Sequence, residues 1–187
     1  MSIDAFRRHG LRGDADAWNR PTFLRARVDL DRLDGEIAGL VAAKARLSPE
    51  EAHEIAAAAL DDYINSMVRS LRNLEAGRDL AGRLDGIESI GPALTTAFAL
   101  ESRVRPFNKW LVHELAARPL AIPDLLGHVE RIARDPTPDA QRELFRVLET
   151  AARTAGHGGV VDGWEPDVAW LRGGGIAGGA DGGPVNG

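Results

Sequence analysis

The run "SPEEAHEIAAAALDDYINSMVRSLRNLEAG", residues 48–77, decides the fold class. Ser48 stands where a helix N-cap would, Pro49 takes the first helical position, and Glu51 follows three residues after the cap. That is a capping box, with proline placed where its missing N–H costs nothing. No breaker interrupts the pattern before Gly77, so the spacing predicts a helix from Pro49 to about Ala76. At about 100° per residue, Leu60, Ile64, Met67, Val68, Leu71 and Leu74 share one wide apolar stripe. A stripe of that width has to be covered by other elements.

The sequence downstream supplies covering helices. "RDLAGRLDGIESIGPALTTAFALESRV", residues 78–104, reads as a second helical stretch, broken or kinked at Gly91-Pro92 because proline loses a hydrogen bond and crowds the preceding turn. A third helix follows Pro106 and ends near Arg118-Pro119. "IPDLLGHVERIARD" (122–135) is a fourth, and "TPDAQRELFRVLETAARTAG" (137–156) a fifth, capped by Thr137. The expectation is a mainly α bundle of about five helices over residues 48–172. The Gly-rich stretch 173–187 has too few apolar side chains to offset its ordering entropy and is expected to be disordered.

Upstream the reading changes. "SIDAFRRHGL" suits a short helix capped by Ser2 or Asp4. "TFLRARVDLD", Thr22 to Asp31, alternates in period two, the chain's one strand signal. "EIAGLVAAKARL" returns to helical spacing. A lone strand cannot satisfy its own backbone groups, so within residues 1–47 either the segment about 22–31 is not a strand, or its partner strands lie on another chain, or the polypeptide is part of a longer one.

Composition narrows the function classes. The 187 residues carry a formal net charge of -5, which argues against non-specific grip on nucleic acid or an anionic membrane. There is no cysteine, hence no disulfide or thiolate chemistry, which fits a cytoplasmic setting. No apolar run approaches the roughly 20 residues of a membrane span. The five histidines show no zinc-like spacing, and no P-loop or nucleophile elbow is present.

Two groups of polar residues stand out. On the long helix, Asp62, Ser66, Arg69 and Asn73 follow i, i+4, i+7, i+11 and line one edge of the stripe, with Tyr63 at its border. Ser, Asn and Asp are poor choices for an ordinary exposed helix face, so this row reads either as a solvated face or as the wall of a cleft. The second group lies in "RVRPFNKWLVHEL", Arg103 to Leu115. Phe107, Trp110, Leu111 and Leu115 have core spacing, while Arg103, Arg105, Asn108 and Lys109 gather at the helix mouth. Free N–H groups and the helix dipole already attract anions there. Added cations call for a negative partner: Glu101, Asp62 or Glu114 of this chain, or a phosphate from outside.

"YINSMVRSLRN", "EAGRDLAGRLDGIESI", "FALESRVRPFNKWLVHEL" and "GWEPDVAWLRG" together resemble the C-terminal part of bacterial nucleotidyltransferases of the polymerase-β-like group, similar to aminoglycoside nucleotidyltransferases. The resemblance covers roughly residues 20–172. It implies a helical domain that closes over a nucleotide, with ATP and Mg²⁺ as cofactors and a small-molecule acceptor. It also implies nucleotide or acceptor binding by Tyr63, Ser66, Arg69, Asn73, Arg103, Arg105, Asn108 and Lys109. Asp62 or Glu114 would be the base that deprotonates the acceptor hydroxyl, and the strand at 22–31 would be a late sheet strand of an α/β head, just before the helical domain. The head's Gly-Ser and Asp-x-Asp motif is missing. Asp14-Ala15-Asp16 and Asp29-Leu30-Asp31 are look-alikes without the Gly-Ser, so the chain alone is expected to lack the metal-dependent step. The alternatives are a helical interaction module that pairs with a separate head or with itself, and a degenerate remnant.

Overall fold

The computed structural model describes residues 2–173. Beyond Gly173, the Gly-rich stretch expected to be disordered lies outside the described residues. Ten α-helices follow one another among the described residues: α1 (Ile3–Arg8), α2 (Glu36–Lys44), α3 (Pro49–Glu75), α4 (Asp79–Glu88), α5 (Ile90–Ala99), α6 (Leu111–Ala117), α7 (Leu125–Arg134), α8 (Pro138–Thr154), α9 (Gly158–Asp162) and α10 (Asp167–Leu171). The chain is a mainly α bundle. No helix among the described residues is long and apolar enough to cross a membrane.

α3 is the axis. Ser48 Oγ accepts the Glu51 N–H at 3.1 Å and caps it. The reciprocal half of the box does not form, because the Glu51 carboxylate pairs with Arg20 instead. The helix stops where Gly77 turns left-handed at φ 69°, a conformation that costs a Cβ-bearing residue more. Its buried stripe of Leu60, Ile64, Met67 and Leu71 meets Leu94 and Phe98 of α5 and Leu144, Phe145 and Leu148 of α8.

α4 approaches α3 closely because Gly82 and Gly86 face it. A Cβ on Gly82 would fall 2.5 Å from Leu74 Cγ, and one on Gly86 would fall 2.7 Å from Pro136 Cβ. Ser70 Oγ donates to the Gly82 carbonyl at 2.6 Å across the same contact. The expected break in the second stretch comes at Ser89, shared by the end of α4 and the start of α5. Pro92 therefore sits in a first turn, where its missing N–H is tolerated.

The chain's closing segment adds two short helices, α9 and α10, to the five expected. α10 is drawn onto the bundle by Glu149 of α8, whose buried carboxylate accepts from Arg153 Nε at 2.8 Å and Arg172 Nε at 3.1 Å. Burial alone would raise that carboxyl; the hydrogen bonds of Arg172 and Arg153 outweigh it and hold the group below its ordinary range. Trp164 and Trp170 donate their indole N–H groups to Asp61 and Glu75 of α3 at 2.8 and 3.2 Å.

The expected strand at 22–31 is absent. Residues Ala17–Arg25 form a 3-10 helix, followed by irregular extended chain, and no ladder exists among the described residues beyond an isolated bridge between Arg46 and Arg103. The alternation did not reflect a two-faced strand. Phe23 is buried against Phe6 and His9, while Leu30 is 67% exposed, and with no partner strand the backbone has no ladder to join. Lys44 instead clamps the end of α1 and the turn that follows it. Its side chain is 1% exposed, and Nζ donates to the carbonyls of Arg7 at 2.8 Å and His9 at 2.6 Å. Arg20 adds a 3.0 Å bond from Nε to the Lys44 carbonyl. These two cations fasten the turn after α1 and the 3-10 helix to the chain that leads into α3.

Candidate functional site: a two-lobed cleft beside α3

Small residues open a cleft where α3, α5, the 103–108 segment and the 3-10 helix meet. A minor core of Leu47, Ala52, Ala56, Ala99 and Val104 lies beneath it. Three alanines there leave space that larger side chains would fill. One lobe, of about 580 Å³, is lined by Trp18, Pro21, Val104, Phe107, Arg103 and Asn108 among others. The second, of about 500 Å³, is lined by Arg12, Glu54, Ala58, Asp62 and Pro92. Ile55, Thr95 and Arg105 belong to both walls, so the lobes adjoin. Each is within the size range of small-molecule pockets.

Of the residues singled out in the sequence, Arg103, Arg105, Asn108 and Asp62 line this cleft. Their donors are partly committed. Arg103 donates to the Arg118 carbonyl at 2.9 Å and to Glu114 at 3.0 Å, with Glu101 3.6 Å away. It also lies 5.0 Å over the Phe98 ring. Glu114 is thus the partner of Arg103 and not a group facing either lobe. Arg105 differs. It donates to the Gly91 carbonyl at 3.0 Å and to Asn108 Oδ1 at 2.7 Å, with Thr95 Oγ1 at 3.4 Å. All three acceptors are neutral, and burial pushes its guanidinium down from the usual range. Pro106, which cannot continue a helix from Arg105, sets up this arrangement: a 3-10 turn at Asn108–Trp110 precedes α6.

The remaining predicted residues lie elsewhere. Tyr63 is buried in the main core at 1% exposure, and its hydroxyl has no hydrogen-bond partner. Burial pushes that phenol up. Ser66 is buried too. Arg69 bridges to Asp85 at 2.8 Å and Glu88 at 2.6 Å, and Asn73 donates to Asp85 at 2.8 Å. That part of the polar row is the seam between α3 and α4. Lys109 is exposed, 5.8 Å from the Trp110 ring, and makes no ion pair among the described residues. The nearer cation over Trp110 is Arg25, 4.2 Å from its ring.

The look-alike carboxylates do not fit a Mg²⁺ ion bound on one strand face. Asp29 is exposed and meets Arg27 at 3.2 Å. Asp31 accepts the N–H groups of Leu33 at 2.9 Å and Ala38 at 3.1 Å, which holds its carboxyl below the usual range and caps α2, whose own cap position is a glycine. Asp14 and Asp16 stand near His9 on a turn and not on a strand, with Nδ1 3.7 and 3.5 Å from their oxygens, and Asp14 also accepts the Gly10 N–H at 2.9 Å. That group closes the turn after α1.

No family model, curated protein or solved structure matches the chain.

The sequence reading missed Trp18, Ile55 and Thr95 as cleft residues. The alanine run 56–59 was the available signal, since a full turn of alanines leaves room around that part of α3, including the side where Ala58 and Ala59 line the second lobe.

Proposed function

We propose that this chain is a helical ligand-binding part of a nucleotidyltransferase-type protein, closing on a nucleotide or its acceptor, with the metal-dependent step carried by residues outside the described bundle. The observation that supports it is convergence. Arg103, Arg105 and Asn108 from the most specific block of the resemblance, and Asp62 from the α3 row, line one two-lobed cleft although they lie some forty residues apart in sequence. The neutral acceptors around Arg105 leave its positive charge uncompensated at the wall common to both lobes, and that favours a ligand with a negative group. Asp62 lines the second lobe, and its carboxylate there supports the role of acceptor for a ligand hydroxyl.

The test is a thermal-shift titration of the chain with adenine nucleotides, alongside the cleft-filling variant Ile55→Trp. A ligand that binds only the folded state raises the melting temperature with concentration. The expected result is such a rise in the natural chain and none in the variant. A natural chain that melts cooperatively with no ligand-dependent rise overturns the proposal.

A second reading, a docking module for another copy of the chain, draws on the exposed stripe of Leu80 (72% exposed), Leu84 and Ile87, on the side of α4 away from α3. A monomer by light scattering at high concentration would remove it.

A further inference from the structure

We propose that Trp18 is the stacking platform of the cleft and that the ligand is a flat heteroaromatic ring bearing one anionic group, of the nucleoside monophosphate class. This rests on the cleft being a binding site.

The four tryptophans of the chain are not equivalent. Trp164 and Trp170 spend their indole N–H groups on Asp61 and Glu75. Trp110 is covered by Arg25. Trp18 is 69% exposed while lining the larger lobe. No hydrogen bond, aromatic partner or cation engages its ring among the described residues. A lone exposed apolar side chain is ordinary; an uncovered indole in the wall of a cavity whose lining also includes Phe107, Leu47 and Ala99 offers a π face to a planar ring.

The charges of the wall choose between one anionic group and several. Arg20 is spent on Glu51 and on the Lys44 carbonyl. Arg103 is spent on Glu114 and the Arg118 carbonyl, and Arg12 on Glu54. A polyanion would have to break these pairs to be neutralised. Arg105 alone of these four faces only neutral acceptors, and it stands at the junction of the lobes. One uncompensated guanidinium matches one anionic group. A triphosphate brings charges for which this wall holds no further unpaired cation, so its extra phosphates gain nothing here.

The probes are adenosine, adenosine monophosphate and adenosine triphosphate, each without metal. Binding is read by calorimetry and by quenching of tryptophan emission. The monophosphate is expected to bind more tightly than adenosine, and the triphosphate no more tightly than the monophosphate. Trp18→Leu keeps an apolar wall but removes the π face, and the exposure of Trp18 makes its loss harmless to folding. It is expected to abolish the quench and weaken monophosphate binding by roughly 5- to 100-fold. Unchanged affinity in Trp18→Leu, or a triphosphate bound tenfold more tightly than the monophosphate, overturns the proposal. If Trp18→Leu binds normally while Ile55→Trp does not, the cleft stands and the platform falls. If neither variant changes binding, the cleft falls with it.

Discussion

The Arg105 guanidinium donates to Asn108 Oδ1 at 2.7 Å, and the same guanidinium holds the Gly91 carbonyl at the start of α5. One residue of the 103–108 segment thus ties α5 to the turn that precedes α6 and, by doing so, forms the wall that both lobes of the cleft share. The segment that looked in sequence like an anion site at a helix mouth is first a splice between two helices. Within the cleft wall, Arg105 is its one guanidinium that meets only neutral acceptors among the described residues; Lys109 is exposed outside both lobes.

Tyr63 offers a clean separation of core from site. Its hydroxyl is buried without a partner, so removing it relieves a desolvated group and breaks no bond. Tyr63→Phe is expected to be neutral or to stabilise by about 1 kcal/mol in urea denaturation, and to leave ligand binding unchanged. A loss of binding would place Tyr63 in the site.

The two glycines of α4 and the one of α2 should respond in opposite directions to the same change. Gly86→Ala would drive a methyl to 2.7 Å from Pro136 and 3.0 Å from Ser70 Oγ. The expected overpacking cost of about 1–3 kcal/mol exceeds the helix-propensity gain of about 1 kcal/mol. Gly39→Ala, on α2, meets nothing within 4 Å, so it is expected to raise stability by up to about 1 kcal/mol. Denaturant midpoints of the two variants check both signs.

Lys44 holds the turn between α1 and the 3-10 helix that carries Trp18. Lys44→Met keeps the stem's volume but leaves the carbonyls of Arg7 and His9 without their ammonium donor. The expected cost is about 2–3 kcal/mol, felt locally. Amide exchange should accelerate over residues 2–25 while α3, α5 and α8 keep their protection.

Acid should loosen the bundle before it protonates most carboxylates. Burial pushes His128 down, with Arg131 adding to the effect, and burial followed by the neighbouring His53, whose ring stacks 4.4 Å away, pushes His157 down. A histidine held neutral in the fold takes up its proton more readily once unfolded. Its contribution is therefore present above the unfolded value, near 6.5, and is lost as pH falls through the lower folded value. The urea midpoint is expected to drop between pH 7 and pH 5, and the drop should shrink in a His128→Gln, His157→Gln double variant.

What could be read from the sequence was local, and what could not was tertiary. Ser48-Pro49 and Thr137-Pro138 announce α3 and α8 because a cap and a first-turn proline are settled within four residues; Thr137 Oγ1 accepts the Ala140 N–H at 3.3 Å as the pattern requires. Gly77 and Gly156 end those helices for the same local reason. The run at 22–31 misled because alternation registers side-chain direction and not the presence of a partner strand. The row Arg69, Asn73 was legible as a special edge, but its partners Asp85 and Glu88 lie on the next helix, and nothing in the spacing says whether a carboxylate or a ligand will meet it. The cleft itself depends on Trp18, Ile55 and Thr95 coming together from three elements, which only the packed chain reveals.

The most direct measurement of the central claim is a ¹H–¹⁵N correlation titration of the chain with adenosine monophosphate. Saturable shifts are expected for the Trp18 indole and for the backbone amides of Ile55, Thr95, Arg105 and Asn108, with those of Arg69, Asn73 and Asp85 unmoved. Shifts clustered on the α3–α4 seam, or none anywhere at millimolar nucleotide, would contradict it.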